Sequence, residues 1–226
     1  MGEDDAMRHR RRNQRSPLRT AWGFLQIVGH IFAPWRRSWR TQWGRRPGEP
    51  DPHLPGEDLI PDPRWEYTHA VSIAAPPGDV WPWIAQMGQA RGGFYSFELL
   101  ENLAGCQITN ADTILPEHQT PEVGDKIRLH PTSPPLHVAM LEPGRSLVLR
   151  GSPADQPGAE TDNIWAFHVI ADGPGASRLI ERGKTRHGSS LTDRLFFSPL
   201  LIEPIGFVMS REMLLGIKER AELQVS

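Results

Sequence analysis

Acidic side chains outside the N-terminal region are the first candidates for general acid–base chemistry, and those considered are Glu98, Glu101, Asp112 and Glu181, together with the amide of Asn102. Glu98 and Glu101 are three residues apart, so a helix would put them on one face, and such pairs usually face water. Glu181 alternates with Leu179, which is compatible with an inward carboxyl group whose pKa burial would raise. The arginines on either side of Glu181 are equally compatible with the opposite orientation. The pattern therefore assigns no catalytic residue.

Other reactive groups give no recognisable site. The nine histidines include no H-x-x-x-H pair or facial triad, and Cys106 is the only cysteine, so neither a metal site nor an intrachain disulfide is predicted. No cofactor is predicted. The glycines at 88, 92 and 93 lack the spacing of a nucleotide-binding loop and are expected to form a turn. Arg91 in this turn is either a clamp for an anionic head group or a solvated loop arginine.

The periodicity of the apolar residues predicts the elements that position these side chains. A period of two predicts a strand at residues 66–74, and a spacing of three and four predicts a helix at residues 80–87. Ser96 is expected to cap a second short helix that ends at Gly105. Short turns separate five further strands, which predicts antiparallel pairing; the strands are residues 126–130, 136–141, 146–150, 163–170 and 178–186. Residues 191–223 are apolar and helical, and Pro204 is expected to start a helix of about 20 residues.

This order predicts an α+β domain in which a curved antiparallel sheet of about six strands surrounds a long C-terminal helix. A strongly bent sheet cannot pack its whole concave face onto one helix, so an internal cavity is expected. The candidates for its wall, all aromatic or methionine, are Trp83, Met87, Tyr95, Trp165, Phe167, Met209 and Met213. Such side chains would give a hydrophobic small-molecule ligand an adaptable surface. The alternative is that the same residues form an ordinary packed core.

Charge divides the chain into two unequal parts. Residues 1–46 contain eleven arginines and three acidic residues, a net charge of +8, so the overall charge of −2 leaves −10 on the other 180 residues. Residues 1–20 are predicted to be a disordered basic arm, and residues 47–63, with six prolines, a semi-rigid linker to a domain at residues 64–226. No nucleic-acid partner is expected, because the domain is acidic and the arm has no known reading motif.

Residues 21–46 are predicted to contain an amphipathic helix. Residues 21–35 are too few to span a bilayer, which takes about 20 apolar residues. On a helical wheel one narrow polar stripe contains Arg19, Gln26, His30 and Arg37, and the rest of the surface is apolar. Two placements fit this pattern. Either residues 8–43, rich in arginine and tryptophan, make peripheral contact with a membrane, or the helix packs on the domain or on a partner chain.

Several stretches of the chain resemble a branch of the SRPBCC superfamily, which includes START lipid-transfer domains and polyketide cyclases. They are residues 58–65 (DLIPDPRW), 80–88 (VWPWIAQMG), 91–97 (RGGFYSF), 100–105 (LENLAG) and 207–218 (FVMSREMLLGIK). The resemblance spans residues 57–223 and implies the helix-grip fold, with the elements in the order predicted above. Other members of this branch often carry membrane-spanning helices before the domain, and most have no assigned activity.

The function predicted from the pattern and the resemblance together is binding or transport of a hydrophobic small molecule, lipid-like or polyketide-like, in the internal cavity. The alternative is a cyclase- or hydrolase-type enzyme that uses the same cavity as a desolvated reaction vessel. An inward and buried Glu181, Asp112 or His137 beside Tyr95 would favour the enzyme. The expected location is the cytoplasm, with peripheral contact to the inner face of the cell membrane.

Overall fold

The computed structural model describes residues 17–49, 54–151, 162–186 and 202–224. Its centre is a six-stranded antiparallel sheet with the strand order β1-β6-β5-β4-β3-β2. The strands are β1 (Trp65–Ile73), β2 (Lys126–Ile127), β3 (Leu136–Glu142), β4 (Ser146–Arg150), β5 (Asp162–Ala171) and β6 (Ser177–Arg186). Each predicted strand is present, because alternation and turn residues agree along this half of the chain. The first strand, β1, pairs with the last, β6, and lies at one edge of the sheet.

Three helices pack around the sheet. They are α3 (Pro77–Ala85) and α4 (Glu98–Leu103), which follow β1, and the C-terminal α5 (Ile202–Gln224). Helix α5 packs on β1 and α3. This order confirms the predicted α+β helix-grip fold. Two details differ from the prediction: α3 begins at Pro77, which leaves Pro82 inside the helix, and the Ser96 side chain does not cap α4.

The concave face of the sheet supplies most of the core. One large cluster of buried side chains comes from all six strands together with α3 and α5, and it includes Trp83, Tyr95 and Phe167. A smaller cluster under the N-terminal helices contains Phe97, Phe207 and Val208. The two clusters occupy different parts of the molecule, and the space between the sheet, α4 and α5 is left for the site described below.

The convex face of the sheet is covered by part of the proline-rich segment. Arg178 Nε donates to Glu49 at 2.8 Å, Arg182 Nε donates to Glu57 at 2.8 Å, and the Lys184 ammonium lies 2.8 Å from the same Glu57 carboxylate. Ile60 is fully buried. The segment expected to be a linker packs against the domain at residues 47–49 and 54–60. It does so because Glu49 and Glu57 form ion pairs with three basic side chains on β6.

The N-terminal segment begins with α1 (Pro17–Ile31), followed by a 3-10 turn at Pro34–Arg36 and the short helix α2 (Arg37–Thr41). The polar stripe of α1 faces the domain: Arg19 pairs with Glu212 of α5, and Gly23 lies against the ring of Phe97. Helix α1 starts four residues before the predicted boundary; the rest of the predicted disordered arm, residues 1–16, lies outside the described residues. Among the described residues, no helix combines the length and apolar character needed to cross a membrane.

Candidate ligand-binding site

A cavity of about 450 Å³ lies between the concave face of the sheet, α4 and α5. Its wall consists of Trp65, Tyr67, Phe94, Ser96, Glu101, Leu129, Leu136, Asn163, Ile164, Trp165, Gly183, Thr185, Ile202, Gly206, Met209, Ser210 and Met213. Most of this wall is aromatic or aliphatic, and its polar groups are few. A volume of this size is within the usual range for small-molecule sites of roughly 300–1,000 Å³.

The sheet forms its part of the wall through rows of side chains across paired strands. Tyr67 pairs with Gly183, and Gly183 pairs with Trp165, so these three positions form one row on the concave face. Gly183 has no side chain to fill this row. A Cβ atom there would be 2.2 Å from Cε1 of Tyr67, so the tyrosine ring lies directly over the glycine. The glycine therefore determines where the Tyr67 ring lies.

The helices close the other side of the cavity. Gly206, Met209, Ser210 and Met213 of α5 face it, at the spacing of three and four residues that one helix face requires. A Cβ atom at Gly206 would meet no other atom within 4 Å. The missing side chain thus leaves open space at the wall, beside two flexible methionines.

A carboxyl group behind the cavity holds several of the wall residues in place. Glu181 is fully buried, and its Oε1 accepts hydrogen bonds from Trp165 Nε1 at 2.7 Å, from the Ser210 hydroxyl at 2.8 Å and from the Tyr67 hydroxyl at 3.1 Å. Burial and the nearby Glu181 carboxyl group raise the pKa of Tyr67 well above its usual value. The inward orientation considered for Glu181 is therefore present, and the carboxyl group links β1, β5 and α5.

The second oxygen of Glu181 lies within hydrogen-bond distance of His69. His69 Nδ1 lies 3.2 Å from Glu181 Oε2, and His69 Nε2 lies 2.9 Å from the carbonyl oxygen of Arg40. The carbonyl can only accept, so Nε2 is the donor to it and Nδ1 is the nitrogen that faces the Glu181 carboxyl group. This buried pair, with the Tyr67 hydroxyl between it and the cavity, is the arrangement nearest to an acid–base group at this site.

Glu101 is a second buried carboxyl group, and it lies on the cavity wall itself. It is 8% exposed, and its Oε1 accepts a hydrogen bond from the Ser96 hydroxyl at 2.5 Å. Burial raises the pKa of Glu101 to about 7; the Ser96 hydrogen bond opposes this rise and the charge of Glu98 adds to it. The loop that carries Ser96 is fixed by Asn110, whose amide nitrogen donates to the Ser96 carbonyl at 3.3 Å.

The structure divides the predicted wall residues into two groups. Trp165, Met209 and Met213 line the cavity. Trp83, Met87, Tyr95 and Phe167 are instead buried in the packed core. Tyr95 shows the reason: its hydroxyl donates to the Trp83 carbonyl at 2.9 Å and its ring lies under the Arg220 guanidinium, 4.7 Å from the ring centre. The side of the sheet next to α3 is filled, and the space lies nearer to α4.

Several cavity residues were not expected from the sequence. The wall residues missed include Trp65, Tyr67, Phe94 and Glu101. Glu101 and Glu98 were expected to face water, yet α4 buries both and leaves Leu103, 82% exposed, in solvent.

The remaining candidates have structural partners or lie elsewhere. Arg91 donates to the carbonyl of Ala85 at 3.0 Å, which makes it a brace for its loop and not a solvated arginine. Asp112 is buried 3.5 Å from Arg220, away from the cavity wall, and His137 is half-buried on β3. The part of the chain that the structure describes contains no group of three or more metal-ligating side chains.

Comparison with known proteins gives similarities of fold. No protein-family profile matches the chain, and no curated protein sequence matches it. Among solved structures, the polyketide cyclase-like protein Cgl2372 from Corynebacterium glutamicum is 17% identical with a TM-score of 0.36, over 71% of this chain and 93% of that one. The Zhui aromatase/cyclase from Streptomyces sp. R1128 is 13% identical with a TM-score of 0.38, over 72% and 96%.

Truncated norcoclaurine synthase from Thalictrum flavum is a further similar structure, 12% identical with a TM-score of 0.39, over 66% of this chain and 91% of that one. Similarities at this level carry no argument about activity. The order of the elements and of the strands in the sheet is sufficient for the fold. The chain therefore has the helix-grip fold, as the resemblance in its sequence predicts.

Proposed function

We propose that this chain binds a hydrophobic small molecule in the cavity between the sheet, α4 and α5. The observation that carries the proposal is the 450 Å³ space beside Trp165, Met209 and Met213. Small-molecule sites are typically concave, lined mainly by apolar side chains and of this size, and the few polar groups of this wall fit that description. The energetic gain from burying an alkyl chain there is about 0.8 kcal/mol per methylene group.

The test is to fill the space and measure binding. The full chain is titrated with the uncharged fluorophore N-phenyl-1-naphthylamine, and the Gly206→Phe variant is compared with a Gly78→Phe control. Both glycines are helical and have open space around the missing Cβ, but Gly78 lies on the exposed start of α3. We expect Gly206→Phe to abolish binding and Gly78→Phe to retain it. Equal binding by both variants would place the fluorophore elsewhere and count against the cavity.

A cyclase- or hydrolase-type enzyme is the second candidate, and one observation favours it. The buried His69–Glu181 pair is hydrogen-bonded to the hydroxyl of Tyr67, and Tyr67 lines the cavity. Release of p-nitrophenol from p-nitrophenyl decanoate, lost in Tyr67→Phe while fluorophore binding persists, would support hydrolysis. Release no faster than in buffer would remove the support for a hydrolase.

We also propose that α1 makes peripheral contact with an anionic membrane surface. Because the polar stripe of α1 is turned towards the domain, its apolar side is left outside, where Trp22 is 61% and Phe32 is 74% exposed. Residues 1–46 contain eleven arginines, and two exposed ones, Arg36 and Arg45, follow the helix. An apolar face that includes tryptophan and is flanked by arginines suits the interface of a bilayer with negative head groups.

Vesicle sedimentation tests this contact. The full chain should sediment with vesicles of phosphatidylglycerol and phosphatidylcholine, and less with phosphatidylcholine alone. The double variant Trp22→Ser, Phe32→Ser should lose this association. Val123→Ser is the control, since Val123 is 65% exposed in the loop before β2, at the opposite edge of the sheet from β1. If the double variant sediments like the control, or if the chain dimerises through this face instead, the membrane proposal fails.

A further inference from the structure

Two polar side chains lie side by side on the concave face of the sheet. Asn163 of β5 pairs with Thr185 of β6, two residues along from the row that Trp165 and Gly183 form on that face. Side chains two positions apart on a strand share a face, so Asn163 and Thr185 face the cavity as well, and both belong to its wall. The Cβ atoms of directly opposite residues in an antiparallel sheet are about 4.5–5.5 Å apart, so one small group can contact both side chains.

The polar atoms of this pair are unpartnered and open to water. Thr185 is 7% exposed, and its hydroxyl has no hydrogen-bond partner among the described residues. The same holds for the carboxamide of the half-buried Asn163. Water can reach these atoms, whereas the unpaired indole nitrogen of Trp65 on the same wall is sealed. Because Thr185 is more than nine-tenths buried and lines the cavity, a partner for its hydroxyl would come from the cavity.

A glycine beside β5 leaves room for the Asn163 carboxamide. Gly151 directly follows β4, and its N–H donates to the backbone carbonyl of Asn163 at 2.9 Å. A Cβ atom at Gly151 would be 2.2 Å from Asn163 Oδ1 and 2.8 Å from Cδ2 of Leu136, another wall residue. The carboxamide therefore lies over this glycine, as the Tyr67 ring lies over Gly183. The missing side chain gives the carboxamide its place in the cavity wall.

The wall around this pair does not suit a charged ligand group. As far as the described residues form it, the wall contains no lysine, arginine or histidine, so a ligand carboxylate would meet no cation. The carboxyl group of Glu101 accepts from the Ser96 hydroxyl through Oε1, and its unpaired Oε2 is sealed from water. Glu101 therefore presents no unpaired oxygen to a ligand ammonium group. A carboxamide and a hydroxyl, which both donate and accept, suit an uncharged oxygen.

We propose that Asn163 and Thr185 together bind the polar end of the ligand, and that the ligand is an apolar molecule with an uncharged carbonyl or hydroxyl group. This inference rests on the proposed function and adds a polar subsite and the chemical class of the ligand. A carbonyl oxygen accepts from the Thr185 hydroxyl and the Asn163 amide N–H, and a ligand hydroxyl can also donate to the amide oxygen. The alkyl or ring portion contacts Trp165, Met209 and Met213.

The experiment compares four ten-carbon probes that differ in one group: decan-2-one, decane, decanoate and decylamine. Each is measured by displacement of N-phenyl-1-naphthylamine from the full chain. Thr185→Val removes the hydroxyl and keeps the shape of the side chain, and Asn163→Leu replaces the carboxamide by an apolar group of similar size. Thr68→Val is the matched control: Thr68 is 3% exposed on β1, but its hydroxyl lies on the convex face, 3.4 Å from Arg182, and it does not line the cavity.

We expect Thr185→Val and Asn163→Leu each to weaken decan-2-one binding about three- to tenfold. Decane binding, which reports that the cavity is intact, should stay the same in both variants, and Thr68→Val should alter the binding of neither probe. Unchanged decan-2-one binding in either cavity variant, equal weakening of decane and decan-2-one, or tightest binding by decylamine or decanoate would overturn the subsite and the ligand class. Failure of all four probes with the wild type, decane included, would instead refute the proposed binding function, so the two failures are distinguishable.

Discussion

Replacement of Glu181 tests whether this buried carboxyl group holds the cavity wall together. Glu181→Leu removes the common acceptor of three donors. In the wild type these donors lie 2.7–3.1 Å from Oε1, and they are the Trp165 indole, the Ser210 hydroxyl and the Tyr67 hydroxyl. Each buried donor left unpaired costs about 1–3 kcal/mol. These three side chains also reach the cavity, so the lower end applies to each, and we expect a loss of about 3 kcal/mol in the free energy of unfolding.

Glu181→Gln separates loss of hydrogen bonds from loss of charge. The amide oxygen can keep all three donors, and the amide nitrogen can donate to His69 Nδ1 while His69 Nε2 still donates to the Arg40 carbonyl. We therefore expect Glu181→Gln to cost less than about 1 kcal/mol. Urea unfolding of both variants, with equal slopes, measures the two free energies. If the glutamine variant loses as much as the leucine variant, the hydrogen-bond network as described is wrong.

Three further changes follow from the contacts described. Gly183→Ala places a Cβ 2.2 Å from the Tyr67 ring. We expect the free energy of unfolding, measured in urea, to fall by about 1–3 kcal/mol. An unchanged urea midpoint would contradict the close approach of the ring. The pKa of Glu101 is about 7 in the folded chain against 4.5 when unfolded, so ionisation of this group lowers the free energy of unfolding progressively from about pH 4.5 to 7. Glu101→Gln should therefore be as stable as the wild type at about pH 4.5 and more stable by up to about 3 kcal/mol at pH 8. A stability difference that does not depend on pH would refute this. Arg40→Met removes a fully buried guanidinium that donates to the Ala33 carbonyl at 3.0 Å and to Glu203 at 3.1 Å. We expect the free energy of unfolding to fall by about 2–4 kcal/mol and hydrogen exchange to become faster across α1. Retained protection of α1 would contradict this.

The strands were predictable because two independent signals coincide in them. Residues 162–186 illustrate this: a largely apolar β5 and a β6 with apolar residues at 179 and 180 flank a turn that contains three glycine or proline residues, so the strand composition and the turn chemistry agree. The sheet order was not predictable from these signals, since the pairing of β1 with β6 joins residues more than 100 positions apart. Only the family resemblance indicated it.

The sequence left the buried faces of α1 and α4 unidentified for one physical reason. Helical-wheel interpretation assumes that polar residues face water, and in both helices polar residues face the domain. Arg19 turns inward because Glu212 on α5 pairs with it, and Glu101 turns inward to accept from Ser96. In each helix, the partner that decides the orientation lies outside it, so the pattern within the helix could not identify the buried face. The same limit explains why Glu101 was missed as a wall residue.

Contact between a bound alkyl chain and the methionines is the most direct test of the cavity. The chain has six methionines, and ¹³C-methyl labelling of all of them allows nuclear Overhauser effects from decan-2-one to be assigned by residue. Met209 and Met213 line the cavity, Met87 lies in the packed core, and Met140 is 36% exposed on β3. We predict effects to Met209 and Met213 and none to Met87 or Met140. Effects confined to Met140, or none at saturating probe, would contradict an internal binding site.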